Sequence, residues 1–229
     1  MTMFHRLSIL IFILCILSGW VSPVEAQLLS CTDSLVAFES EGPGDFRCVC
    51  ASAKAAVDFL SSMGLETSKC ITLRLVEHIP FSQDHIFIGA YSPISQEVTL
   101  LTYQKAVELF EMIRPIPGID LSEELWCSYA AHELAHVISS QYLNPEIKDH
   151  TAGEYISAVT QLTVLPAGIR QKIFNKYKDV TAYQSRAEMS ELYFLFDPNK
   201  FAVKCYLHFI AQENPKEFID RLVKEGSGH

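Results

Sequence analysis

The stretch SYAAHELAHVISSQYL, Ser128 to Leu143, places two histidines four residues apart, with a glutamate directly after the first. On a helix of about 3.6 residues per turn, His132 and His136 stand one above the other, close enough for both imidazoles to reach a single ion. Glu133 projects about 100° away from His132 on ideal geometry. That makes it a poor third ligand and a well-placed base beside the ion. Two nitrogen ligands with a neighbouring carboxylate suit zinc-assisted hydrolysis, in which the ion polarises the bond under attack and the carboxylate relays a proton from water to the leaving group. The plainer alternative is a packed helix that happens to carry three polar side chains. Leu134, Ala135, Val137 and Ile138 count against it, because they surround the rings with apolar surface that is costly for unpartnered polar groups.

A helix carrying this motif must begin and end around it. Asp120 with Glu123 fits a capping box, Ser122 is a rival cap, and Asn144-Pro145 is a stop, so a helix is expected from about Leu121 to Tyr142. Upstream, Ala51 to Met63 has Ala56, Phe59, Leu60 and Met63 at helical spacing, with Gly64 as terminator. Ile71 to Ile79 reads as a strand, HIFIGAY and EVTLLTY flank SPISQ as a hairpin, and Tyr103 to Ile113 is a second helix broken by Pro115 and Pro117. Downstream, helical patterns cover Glu154–Leu165, Ala167–Lys176, Ser185–Leu195, Lys200–Gln212 and Lys216–Lys224. The expected class is α+β: an N-terminal helix and a small, mostly antiparallel sheet, then the motif-bearing helix and a helical C-terminal half. The hairpin offers a strand edge to an extended peptide. His78 and His85, near these strands, lack a metal-binding spacing and read as structural.

The HELAH run between Trp126 and Leu143 resembles the active-site helix of the zincin metallopeptidases. Position 139 is serine and 142 is tyrosine, so the HxxGxxH continuation of the metzincin branch is absent. HTAGEYISAVTQL follows instead, similar to the gluzincins, in which a glutamate on the next helix is the third ligand. That resemblance implies a zincin-like fold and a Zn²⁺ ion held by His132, His136 and Glu154, with Glu133 as base. It covers about Ser122 to Leu165, and GEYISAVTQL with LPAGIRQKI is most similar to a group of small secreted bacterial peptidase-like proteins. Thr151 to Glu154 also fits a capping box, in which Glu154 would only bond its own helix start. His150, Asp149 and Glu146 are rival ligands. One departure is plain: many gluzincins place an acid one turn after the ligand glutamate to orient a histidine, and here that position is Ala158.

The remaining chain bounds the setting. Residues 1–26 read as a secretory signal, with Arg6, an apolar run from Leu7 to Leu17 and a small-residue exit at Val24-Glu25-Ala26. The run is shorter than the roughly 20 residues that cross a bilayer. The expectation is therefore one secreted or periplasmic domain over residues 27–229, without stable membrane insertion after cleavage. Net charge is −9, which repels phosphate backbones and argues against nucleic acid as a partner; the expected partner is a peptide or protein substrate. Six cysteines follow the signal, Cys31, Cys48, Cys50, Cys70, Cys127 and Cys205, and in an exported chain they point to disulfides. The expected pairing joins the early four among themselves and Cys127 to Cys205. Such a bridge would carry His208, one turn from Cys205, toward the motif, so His208 is the candidate oxyanion donor, with Tyr183 and Tyr206 as competitors. The main alternative function is a non-catalytic, disulfide-stabilised zinc module that binds a partner.

Overall fold

The computed structural model describes residues 29–30, 35–40, 46–79, 88–147 and 150–227. The expected signal, Cys31, His85 and the rival ligand Asp149 lie outside the described residues. In chain order the elements are β1 (Leu29–Ser30), β2 (Val36–Ser40), α1 (Arg47–Ser62), β3 (Ile71–Val76), β4 (Gly89–Ser92) and β5 (Glu97–Leu101). Then come α2 (Tyr103–Ile113), α3 (Glu123–Ser139), α4 (His150–Val164), α5 (Ala167–Lys176), α6 (Glu191–Phe196), α7 (Pro198–Ile210) and α8 (Pro215–Glu225). The class is α+β. Among the described residues, no helix is long and apolar enough to cross a membrane.

The strands form one sheet in the order β1-β2-β3-β5-β4. It is mixed rather than mostly antiparallel: β2–β3 and β3–β5 are parallel, while β1–β2 and β4–β5 are antiparallel. The cause is connectivity. Two strands precede the first helix, and α1 then returns the chain across the sheet, so β3 enters beside β2 in the same direction. The expected hairpin does form between β4 and β5, turning at Gln96 with φ 56°. Because β4 folds back on the outside of β5, β4 is left as an antiparallel edge.

Helix α1 buries Val49, Ala53, Ala56 and Leu60 along one face, and its small alanines let a neighbouring helix come close. Gly64, at φ +88°, takes the left-handed turn that ends it. The neighbour is α3, which packs on β4 and β5 and against α1 and α4. Enclosure on so many sides explains why α3 buries Trp126, Cys127, Ala130, Ala131, Leu134, Ala135, Val137 and Ile138 instead of a single stripe. Ser122, not Asp120, caps it, its side chain accepting from the Leu125 N–H. The Trp126 indole N–H donates to the Leu101 carbonyl at 2.9 Å, pinning the helix to the end of β5.

Two further expectations are corrected. Cys48 of α1 is bonded to Cys127 of α3, so Cys127 does not pair with Cys205, which is a buried free thiol on α7. The packing of α1 along α3 brings the two Cα atoms to 5.9 Å, ordinary disulfide reach. The helix expected over Ser185–Leu195 is split into a 3₁₀ turn at Arg186–Glu188 and α6. Ser190 causes the break, since its side chain accepts from the Tyr193 N–H and starts a fresh helix.

Candidate metal centre

Helices α3 and α4 bring together three side chains that can each offer one ligand atom: His132, His136 and Glu154, all within 4.8 Å of one another. The two Nε2 atoms are 3.2 Å apart. Glu154 places Oε1 3.4 Å from Nε2 of His136 and Oε2 3.7 Å from Nε2 of His132. Thr151 lies inside α4 rather than ahead of it, and the Glu154 carboxylate is turned to the two rings. Of the rival ligands on described residues, His150 and Glu146 are exposed and stand outside the cluster.

The orientation of His132 follows from a chain of hydrogen bonds with forced directions. The Leu125 carbonyl can only accept, so the Ser128 hydroxyl donates to it, at 2.6 Å. The Gln161 amide N–H donates to Ser128 Oγ at 3.2 Å, which turns its carbonyl oxygen toward Nδ1 of His132, 3.1 Å away. Nδ1 therefore carries the proton, and the Nε2 lone pair faces His136 and Glu154. Gln161 does what an acid at Ala158 would have done. It went unread in the sequence because it lies two helical turns beyond Glu154 instead of one, and the same-face spacing of about 3.6 residues per turn was the available signal.

Edge strand β4 closes the other side. Gly89 and Tyr91, two apart on a strand, share the face turned to α3. Gly89 gives room to Glu133: a Cβ there would stand 2.7 Å from Cγ of that glutamate. Tyr91 stacks on His136 with ring centroids 4.4 Å apart and 5° between the planes. On α4, a Cβ on Gly153 would meet Nδ1 of His136 at 3.5 Å. Neither Gly89, Gly153 nor Tyr91 was a sequence candidate, since only tertiary packing relates them to the motif.

His208 is placed elsewhere. It is buried on α7, where the Gln212 amide donates to its Nε2 at 3.0 Å and its Nδ1 meets the Tyr155 hydroxyl at 2.9 Å. Its competitor Tyr183 is buried close by, with ring centroids 6.5 Å apart. Tyr206 packs on Phe174 and under Arg170. None of the three belongs to the His132–His136–Glu154 cluster.

Charge is concentrated where water is scarce. Burial pushes the Glu133 carboxyl up; the two histidines act against that rise and Glu154 adds to it. Burial would also raise Glu154, but its contacts with His132 and His136 outweigh that and hold it well below the usual carboxylate range. For His132, burial disfavours the cation, yet Glu154, Glu133 and Gln161 together raise its pKa. A cation is thus favoured between the rings and the carboxylate. The donor set fits a metal in distance as well: bonds of about 2.0–2.2 Å in a tetrahedron put neighbouring donor atoms roughly 3.3–3.6 Å apart. Nitrogen and oxygen donors converging at 3.2 to 3.7 Å repel one another unless a proton or a metal ion sits among them.

A family model described as "Family of unknown function (DUF6639)" matches residues 36–227. The chain belongs to the DUF6639 family. The match runs from β2 to the end of α8 and so includes every residue of the cluster and of its surroundings. No match was found among curated proteins or among solved structures.

Proposed function

We propose that this DUF6639 protein is a zinc-dependent peptidase that works after export. The observation that carries the reading is the convergence of His132, His136 and Glu154 beside a glutamate, Glu133, that is only 9% exposed and is given its place by a glycine. A structural metal site needs no such neighbouring carboxylate. His132, His136 and Glu154 would hold the ion, and the resemblance to gluzincins assigns them the same parts. When bound, Zn²⁺ supplies Lewis-acid polarisation of the scissile carbonyl. Glu133 takes a proton from the attacking water as the new C–O bond forms, then delivers it to the amide nitrogen as the C–N bond breaks. Gln161 and Ser128 keep His132 in the tautomer that presents Nε2. The Cys48–Cys127 disulfide fits an oxidising compartment, which agrees with a leader over residues 1–26 and a secreted or periplasmic location.

The test is hydrolysis of a mixed peptide library by the purified protein, with and without chelator, beside Glu133→Gln. The expected result is cleavage that stops with chelator and is lost in Glu133→Gln, while Zn²⁺ content stays at one per chain. Undiminished cleavage by Glu133→Gln would overturn the mechanism. A wild-type protein that holds stoichiometric Zn²⁺, cleaves nothing and unfolds when stripped would be a structural zinc module instead.

A further inference from the structure

The two ligand rings are held in different ways. His132 hangs from a hydrogen bond, Nδ1 to Gln161. His136 has no hydrogen bond on its Nδ1 among the described residues; its polar contacts there, to His132 and Glu154, are both made through Nε2. A ligand imidazole without an outer partner can swing about its side-chain torsions, and outer partners are what normally prevent this. What lies against His136 is the flat face of Tyr91, near parallel at 4.4 Å. The strand register explains why that face arrives there: Tyr91 pairs with Val98 and Gly89 with Leu100 on the antiparallel edge, so the glycine falls over Glu133 and the tyrosine over His136, one turn further along α3.

We propose that Tyr91 is the positioning residue of His136, its ring face fixing the imidazole plane so that Nε2 stays aimed at His132 and Glu154. This rests on the reading of the cluster as a zinc centre. The face of the ring does the positioning and the hydroxyl does not. Tyr91 is 39% exposed, so its other surroundings are open, and replacing it removes little from the core. Edge strand β4 thereby becomes part of the metal centre although it supplies no ligand.

The experiment compares the full chain with Tyr91→Phe, Tyr91→Leu and Tyr91→Ala. Zn²⁺ affinity is read by competition with a chromogenic chelator, visible absorption by loading Co²⁺, and folding by thermal melts of the metal-free proteins. Tyr91→Phe should keep the Zn²⁺ affinity within about twofold, whereas Tyr91→Leu and Tyr91→Ala should weaken it by about tenfold or more, the scale of a lost orienting partner. The Co²⁺ bands should shift in the Leu and Ala variants and not in the Phe variant, with metal-free melts alike. If Tyr91→Leu binds as tightly as wild type with the same bands, or if Tyr91→Phe is as weak as Tyr91→Leu, the assignment fails while the zinc reading stands. Should Tyr91→Ala fold poorly, Tyr91→Leu still fills the space without offering a flat face. Failure of the wild-type chain itself to take up Zn²⁺ overturns both readings.

Discussion

At Gly89 an added Cβ would stand 2.7 Å from Cγ of Glu133 and 3.0 Å from its Oε1, closer than non-bonded atoms tolerate. The carboxylate is the movable partner, so Gly89→Ala should displace it. A shift on the order of 1 Å in a reacting group can cost about a hundredfold; we expect kcat in Gly89→Ala to fall by about that factor while Zn²⁺ content is unchanged, as measured by steady-state kinetics and elemental analysis. On the proposed zinc reading, Gln161 serves metal binding and not the proton relay. Gln161→Leu leaves the His132 Nδ1–H without an acceptor, and Zn²⁺ affinity should drop about 10- to 100-fold, with Gln161→Glu restoring it in the same chelator competition. At this scale the sequence was legible for the meeting of His132 and His136, because four-residue spacing on a helix is a local property. Glu154 was legible through family resemblance. Gly89, Tyr91, Ser128 and Gln161 were not, because their roles depend on which strand edge and which turn of α4 face α3.

Among the elements, α3 carries two of the three cluster side chains, His132 and His136, and its neighbours determine how firmly it is held. The Cys48–Cys127 bond ties it to α1 across 79 residues of sequence. For a loop of that size the chain-entropy argument gives about 4.5 kcal/mol of stabilisation. A Cys48→Ala, Cys127→Ala protein should therefore lose about that much in denaturant unfolding, and Zn²⁺ should bind more weakly, because Cys127 lies less than two turns before His132. Helix ends were readable at Gly64 after α1 and at Pro115 after α2, whereas α3 ends at Ser139, three residues short of the expected Tyr142 and ahead of Asn144-Pro145. Strand β2 was not readable, since Val-Ala-Phe-Glu-Ser is short and its pairing partner, β3, lies beyond an entire helix. Missing β2 also hid the crossover, and without the crossover the parallel centre of the sheet could not be inferred. The disulfide was misassigned for the same reason: it records the packing of α1 on α3, which no local pattern reports.

For the molecule as a whole, acid stability should carry a contribution from a histidine outside the cluster. His208 is 6% exposed, and burial pushes its pKa below the ordinary value of about 6.5, with Glu188 opposing the shift in part. Tyr155, Gln212, Tyr183 and Phe218 are the groups that face it. Below about pH 6.5 the unfolded chain takes up the proton before the folded one does, so stability rises with pH in that range and falls on acidification. The contribution is fully present above about 6.5 and lost as pH descends toward the folded-state value. In metal-free protein, the difference in unfolding free energy between wild type and His208→Gln should narrow from pH 7 to pH 5; a constant difference would show that His208 does not titrate in this way.

Every donor atom of the cluster, and every hydrogen bond that aims it, comes from the short span between Leu125 and Gln161, while the ring and glycine that cover it arrive on a strand from much earlier in the chain. Joining neighbours along a polymer costs little loop-closure entropy. We expect the α3–α4 hairpin to capture its ion early in folding, before the sheet edge is laid over it. On the proposed zinc reading, the ion would then hasten assembly of a chain that also folds without it, so that refolding with Zn²⁺ present should be faster than refolding with chelator.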